Sequence, residues 1–470
     1  MKARELQNLG FPRGEIIQQA LTTVAGAAQA GVGKMEIRQT MRTMAEDPET
    51  HLNDPHFGDF AALWLVASSN GTCFKEREEP APWRQWGAGL QQGAIEQMRN
   101  ACRLPIAVAG ALLPDAHQGY GLPIGGVLAT RGAVVPYAVG MDIACRMKLT
   151  VLDMPVEDLT RRQQCLMRAI EEETRFGVGA TFRRRREHGV MDDGWGVTRV
   201  TSSLKDKAWG QLGTSGSGNH FVEFGELVLE RDELGLAAGT YLALLSHSGS
   251  RGSGNAVATH YSGVAQQLHP ELPKELRHLA WLDLESGDGQ EYWQAMELMG
   301  RYAAANHELI HRCIAENLGA QVLLDVENHH NFAWKEMHGE QEVIVHRKGA
   351  TPAANGMLGI IPGSMATPGY LVRGKGSTAS LQSASHGAGR KMSRKAAREQ
   401  CTWAEARAFL AERGVTLMSA GLDEVPMAYK DIDTVMEAQA DLVDILAQFN
   451  PRLVKMAGGE DPRIKTRRFR

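Results

Sequence analysis

Apolar residues recur at helical spacing between residues 13 and 46, where Ile16, Ile17, Ala20, Leu21 and Val24 share one stripe and Gly31 and Gly33 interrupt it. The spacing predicts helix there and a second, shorter helix over 60–67. Residues 68–83 are polar and proline-containing and read as a linker. Beyond Pro105 the period changes. Short β-branched apolar runs end in glycine-rich turns, which predicts strands at 126–135, 147–152, 241–245, 322–326, 343–345 and 370–372. Helical spacing returns at 159–174, 291–317, 393–412 and 432–449. This mixture predicts an α+β fold with mixed or antiparallel sheets and peripheral helices, not a regular βαβ alternation. The expected organisation is a small helical N-terminal extension over 1–82, one large domain over 83–458 and a basic tail over 459–470.

Composition narrows this picture only slightly. The 470 residues are 43% apolar and 23% charged, so a large buried core is expected. The 51 glycines cluster in a few segments, which points to tight turns and close backbone approaches. Net charge is −4, so any phosphate-binding surface has to be local. Arg183–Arg186 and the tail with Arg463, Lys465, Arg467, Arg468 and Arg470 could supply one, although each alone reads as a solvated basic segment. Residues 1–10 lack the apolar core of a secretory leader, and no run of about 18 apolar residues is present to span a membrane. Six cysteines are scattered without paired spacing. The expectation is a cytoplasmic protein with reduced thiols and no membrane association.

Chemistry concentrates where strand-like runs meet small residues. Asp142 and Cys145 stand in Gly140-Met-Asp-Ile-Ala-Cys-Arg146. His220 closes Gly213-Thr-Ser-Gly-Ser-Gly-Asn-His220, His247 opens His247-Ser-Gly-Ser-Arg-Gly252, and His330 lies in Glu327-Asn-His-His-Asn331. A thiolate, imidazoles and a carboxylate together suit a borderline divalent metal, and a bridging thiolate allows two ions. No pair has local zinc spacing, so each histidine taken singly reads more readily as a surface or core residue than as a ligand. His51, His56, His188, His269 and His278 are assigned to that structural class. A thiolate at Cys145 would carry a low pKa and oxidise readily. The second constellation is Ser385-His-Gly-Ala-Gly-Arg390. Gly387 and Gly389 let backbone N–H groups approach a phosphate, Arg390 adds a bidentate-capable charge, and His386 in such a cradle is suited to attack phosphorus. A glycine-rich turn with an incidental histidine is the other reading.

Nine segments, in order, resemble the RtcB family of RNA-splicing ligases. They are Pro114-Asp-Ala-His-Gln-Gly-Tyr-Gly121, Val139-Gly-Met-Asp-Ile-Ala-Cys145, Gly213-Thr-Ser-Gly-Ser-Gly-Asn-His-Phe221, His247-Ser-Gly-Ser-Arg-Gly252, His329-His-Asn331, His346-Arg-Lys-Gly-Ala350, Ile361-Pro-Gly-Ser-Met365, Ser385-His-Gly-Ala-Gly-Arg390 and Asp423-Glu-Val-Pro-Met-Ala-Tyr-Lys430. The similarity runs from about Trp86 to Lys455. The resemblance implies a GTP- and Mn-dependent ligase that joins an RNA 3′-phosphate, or 2′,3′-cyclic phosphate, to a 5′-hydroxyl in RNA repair or tRNA splicing. It implies that Cys145 bridges two Mn ions, with Asp142 and His220 completing one and His247 and His330 the other. It implies that His386 carries GMP covalently. Asn219, Glu223, Ser364 and Tyr429 match nucleotide-holding positions, Lys455 matches a lysine that contacts guanine, and Arg251 matches a position near substrate phosphate. A protein activator is compatible with this reading. The extension over 1–82 and the tail after Lys455 have no counterpart in the family pattern. Alternatives are a paralogue that caps or seals DNA 3′-phosphate ends, and a non-catalytic RNA-binding protein of the same fold.

Overall fold

The computed structural model describes residues 1–11, 15–70 and 76–458. The basic tail from 459 therefore lies outside the described residues. The chain divides into two compact units, Met1–Glu76 and Arg77–Arg470.

The first unit is helical. Its helices Glu15–Gln29, Lys34–Glu46 and Gly58–Asn70 close on a core that includes Ile17, Ala20, Val24, Met41, Met44 and Phe60. The break between the first two falls where the glycines stand. Gly31 adopts φ +90°, a conformation that L side chains rarely reach, and Gly33 caps the next helix.

The second unit is built on two large sheets. The larger has eight strands, and seven of them run antiparallel to their neighbours in the order Leu358–Ile361, Gly369–Gly374, Val443–Met456, Phe221–Leu229, Gly239–Ser248, Arg146–Leu152 and Val322–His329. Thr416–Ser419 adds to it parallel to Val443–Met456. Strand alternation gives this sheet two apolar faces. Leu242 and Leu244, with Val222 and Phe224, pack with Ile310 and Ile314 of the long Gly287–Leu318 helix. Ala243 and Leu245, with Met147, Leu149 and Leu227, face the opposite way into a separate core. The five-stranded sheet runs Trp83–Gln85, Ala107–Tyr120, Leu122–Thr130, Gln341–Lys348 and Asn331–His338. Among the described residues no helix is long and apolar enough to cross a membrane.

The α+β expectation is what the structure shows, with three local differences. Residues 393–412 form two helices, Arg394–Gln400 and Trp403–Glu412, because Thr402 accepts a hydrogen bond from the Glu405 N–H and starts a new helix with a capping box. Phe221–Leu229, read over in the sequence, is an inner strand of the large sheet. The helix expected over 432–449 is only Ile432–Glu437, and Val443–Met456 is a fourteen-residue strand instead. Pro451 cannot donate a ladder hydrogen bond, and it sits where the register with Phe221–Leu229 shifts.

Candidate functional site

Register alone brings the candidate ligands together. Cys145 immediately precedes Arg146–Leu152, His220 immediately precedes Phe221–Leu229, His247 lies near the end of Gly239–Ser248, and His330 follows Val322–His329. Arg146 pairs with both Ser248 and His329, and Phe221 pairs with His247. Four adjacent antiparallel strands thus present their candidate ligands at one edge.

The resulting distances are those of a donor cluster. Cys145 Sγ lies 3.0 Å from His247 Nε2 and 3.4 Å from His220 Nε2. His247 Nε2 and His330 Nε2 are 3.2 Å apart, and His220 Nε2 is 2.9 Å from Asp142 Oδ2. Two sets, Cys145–His247–His330 and Asp142–Cys145–His220, have their ligand atoms within 4.8 Å of one another, and Cys145 belongs to both.

The tautomers support ligation. His220 Nδ1 lies 2.9 Å from the Ser215 carbonyl and His247 Nδ1 lies 3.0 Å from the Asn219 carbonyl. A carbonyl only accepts, so each Nδ1 carries the proton and each Nε2 offers a lone pair to the cluster. Donor atoms turned toward one another and toward a shared sulfur fit a pair of divalent ions that would share the thiolate. Backbone conformation around the cluster is unusual at two positions: Ala144, beside Cys145, takes φ +57°, and Arg251 takes φ +59°. Arg251 Nε donates to Thr214 Oγ1 at 3.2 Å, with Nη1 3.3 Å from His220 Nδ1, the longer of that nitrogen's two polar contacts.

Charge in the cluster follows burial. Burial drives the His247 imidazole down to about 3 and holds His330 well below the usual histidine range, so both are neutral candidate donors. Burial raises the Asp142 carboxyl, but the neighbouring His220 outweighs it and keeps Asp142 ionised. Burial, then Asp142, pushes the Cys145 thiol well above its ordinary range. The low-pKa, oxidation-prone thiolate expected from sequence is therefore not what the protein alone provides. The nearby Arg251 charge is too weak an influence, and a coordinated cation would be needed to remove the proton.

His386 sits beside this cluster, its ring centroid 5.1 Å from that of His330. It follows the short strand Ser383–Ser385, which pairs with Ala350–Pro352. Asp115, fully buried, accepts from the His386 backbone N–H at 3.1 Å and from Nδ1 at 2.6 Å through the same oxygen. Nδ1 is thereby the protonated nitrogen, which leaves Nε2 nucleophilic. Burial raises the Asp115 carboxyl, but the His386 hydrogen bond and charge bring it below its ordinary value. Lys430 Nζ donates to the carbonyls of Pro114 and Ala116 and fixes the backbone on either side of Asp115. Two glycines make room. At Gly389, φ is +71° and a Cβ would stand 2.0 Å from the Asp115 carbonyl oxygen; at Gly349, φ is +62° and a Cβ would crowd the His386 ring at 3.0 Å.

His386 lines a cleft together with Asn219, Glu223, Ser364, Gly387, Gly389 and Tyr429, and the same cleft reaches His247 and His330. Burial alone pushes the Glu223 carboxyl well above the usual carboxylate range, so it enters the cleft as a neutral hydrogen-bonding group. Tyr429 donates to Glu424. Arg390 also lines the cleft, but its guanidinium is engaged by Glu424 at 3.0 Å, the Asp423 carbonyl at 2.7 Å and the Met392 carbonyl at 3.2 Å. It braces the Glu424–Tyr429 wall instead of standing free for a phosphate. Lys455, expected beside a nucleotide base, is not in this cleft. Its neighbours Val454 and Met456 line it, while the alternation of the strand turns Lys455 to the other face, where it pairs with Glu171 and lies over the Phe176 ring. A second cavity shares Ile124, Asn219, His330 and His386 with the first and continues past Asp142 and Cys145 to Lys348 and Tyr120.

A model of the family described as tRNA-splicing ligase RtcB matches residues 97–197 and 183–457. The chain belongs to the RtcB family. It is 33% identical over 400 residues to the RNA-splicing ligase RtcB of Escherichia coli strain K12, covering 78% of this chain and 95% of that protein. It is 31% identical over 437 residues to the tRNA-splicing ligase RtcB of Thermococcus kodakarensis, covering 77% and 90%. With the RNA-splicing ligase RtcB of Mycobacterium tuberculosis it shares 33% identity over 426 residues, covering 76% and 98%.

Asp115, which holds both the backbone and the ring of His386, is the candidate that the sequence did not single out. It was visible only as part of a polar, turn-like Pro114-Asp-Ala-His stretch, and its burial comes from packing against the 385–390 turn. Lys430 and Glu424 were likewise present in a matched segment without a role.

Proposed function

We propose that this protein is an RNA ligase that joins a 3′-phosphate, or 2′,3′-cyclic phosphate, end to a 5′-hydroxyl end through a covalent histidine–GMP intermediate. The observation that carries the reading is His386, held by Asp115 as the Nδ1-protonated tautomer, in one cleft with the donor cluster and with Asn219, Glu223, Ser364 and Tyr429. In the first step His386 Nε2 attacks the α-phosphorus of GTP; a nitrogen–phosphorus bond forms and pyrophosphate leaves. Asp115 stabilises the positive charge that develops on the imidazole. A 2′,3′-cyclic phosphate is first opened by water, which breaks the bond to the 2′-oxygen and leaves a 3′-phosphate; an oxygen of that 3′-phosphate then displaces His386, so that a phosphorus–oxygen bond replaces the nitrogen–phosphorus bond. The 5′-hydroxyl finally attacks the RNA phosphate in line and GMP departs. Asp142, Cys145, His220, His247 and His330 would hold two Mn ions, which supply charge neutralisation at phosphoryl oxygens and acidify an attacking hydroxyl. Neutral Glu223 is suited to hydrogen-bond a nucleobase, Ser364 and Asn219 to hold the nucleotide, and Arg251 to steady a phosphate beside the donor cluster.

The test is incubation with α-labelled GTP and Mn, followed by a joining assay on 3′-phosphate/5′-hydroxyl RNA and DNA. The expected result is an acid-labile protein–GMP adduct and joined RNA. In His386→Ala the adduct should disappear while metal content is retained. Absence of any adduct in the wild type overturns the proposal in favour of a non-catalytic binding protein. Capped DNA with no joined RNA redirects it to the DNA-end paralogue.

A further inference from the structure

The second cavity has a wall that the chemistry so far leaves idle. Lys348 is buried, and among the described residues no carboxylate offsets that burial, which alone lowers its amine to about 7. Its Nζ donates to the Tyr120 carbonyl at 2.5 Å and stands 5.8 Å from the Tyr137 ring centroid. A buried amine of this kind holds its full charge when an anion joins it. At the mouth, Tyr120 is 69% exposed, unusual for a large ring. Its edge-to-face contact with His278, at 5.7 Å and 74°, together with the 4.5 Å contact of His278 with Tyr137, makes an aromatic rim. Gly121 fixes the Tyr120 turn: φ is +68°, and a Cβ there would stand 2.8 Å from the His278 carbonyl oxygen. His278, assigned a structural role from sequence, thus supports an exposed ring beside a buried lysine that lacks a counter-charge among the described residues.

We infer that this cavity seats the terminal nucleotide of the RNA strand bearing the 3′-phosphate, with its base on the Tyr120 rim and its phosphate between Lys348 and the donor cluster. The inference rests on the ligase reading above and adds the place where one substrate end binds. Three observations favour this end. The cavity touches His386, from which the 3′-phosphate must take GMP. It adjoins the Ser364–Tyr429 cleft assigned to the nucleotide at Ile124, Asn219, His330 and His386 and extends away from it to Lys348 and Tyr120. A 5′-hydroxyl end brings no terminal charge to answer Lys348, whereas a 3′-phosphate does. Stacking on one aromatic ring is worth enough to matter in each binding event.

The experiment compares wild type, Tyr120→Ala and Tyr120→Phe in three readouts. The first is binding of a short 3′-phosphorylated RNA without GTP, the second His386–GMP formation without RNA, and the third single-turnover transfer of GMP to the RNA. For Tyr120→Ala the expected result is RNA binding and transfer weakened about tenfold, with adduct formation unchanged and Tyr120→Phe restoring both. Lys348→Met should lose the preference for 3′-phosphorylated over 3′-hydroxyl RNA. Unchanged RNA binding in Tyr120→Ala overturns the inference, as does a loss of adduct formation. Accumulation of GMP-activated RNA that is not sealed also overturns it, because it would assign the cavity to the 5′ end. If the wild type forms no adduct, the ligase reading fails, and the binding readout still judges the cavity separately.

Discussion

The donor cluster and the proposed nucleophile are neighbours, with the His330 and His386 rings 5.1 Å apart, yet they are held in opposite ways. Four strands of one sheet deliver the cluster, and their ladder hydrogen bonds are shared with the core. His386 ends a three-residue strand, and one carboxylate oxygen holds both its backbone and its ring. The cluster is therefore robust in position and vulnerable in charge, because a single sulfur serves both ligand sets. The nucleophile is vulnerable in orientation, because a single aspartate determines its tautomer.

The largest effect should come from the shared sulfur. Cys145→Ser is expected to lower metal content at both sites and to cut joining by about 10³-fold or more. Elemental analysis of the purified variant checks this, and unchanged metal removes Cys145 from the site. The same protein sharpens the charge argument. His247 and His330 are already neutral, whereas burial keeps the thiol protonated, so uptake of the first cation above neutral pH releases the thiol proton. Wild-type affinity should then rise about tenfold per pH unit until the raised thiol pKa is reached, and calorimetry in buffers of different ionisation enthalpy should find that slope flattened in Cys145→Ser.

Asp115→Asn comes next. The shape is kept and the charge lost, so adduct formation should fall about 10²–10³-fold with metal content intact. A variant that loses metal instead would show that cluster and nucleophile are one unit. The smallest effect is predicted at Lys455→Met, where adduct formation with GTP should stay within about twofold of wild type. A large rise in the GTP requirement would return Lys455 to the nucleotide site and overturn its placement on the far face.

These contrasts also explain what the sequence made legible. Cys145, His220, His247 and His330 could be picked out because each stands where an apolar run meets small or turn-forming residues, a local signal that survives without coordinates. The large sheet was visible in its β-branched runs at 147–152 and 322–326. The strand Val443–Met456 was not, because residues 432–449 keep helical spacing of apolar positions and their burial on two faces is decided by neighbours distant in sequence. Lys455 lies beyond that span and was named from the resemblance; the strand puts it on the face opposite Val454 and Met456. Asp115 was hidden for a similar reason. A polar Pro114-Asp pair reads as a turn, and nothing local announces that the side chain will be enclosed by the 385–390 segment.

The pairing of Arg146 with Ser248 and His329, and of Phe221 with His247, also sets where this chain can change length. Inserting or deleting one residue inside any of these strands exchanges its two faces and swings a ligand out of the cluster. The connections 153–212 and 249–321 lie outside the four ligand-bearing strands and carry no such parity constraint. Within them Arg251 and the Gly287–Leu318 helix are held by the site and the core, so grafts and tags belong in the exposed turns between, where all five donor atoms should stay in place.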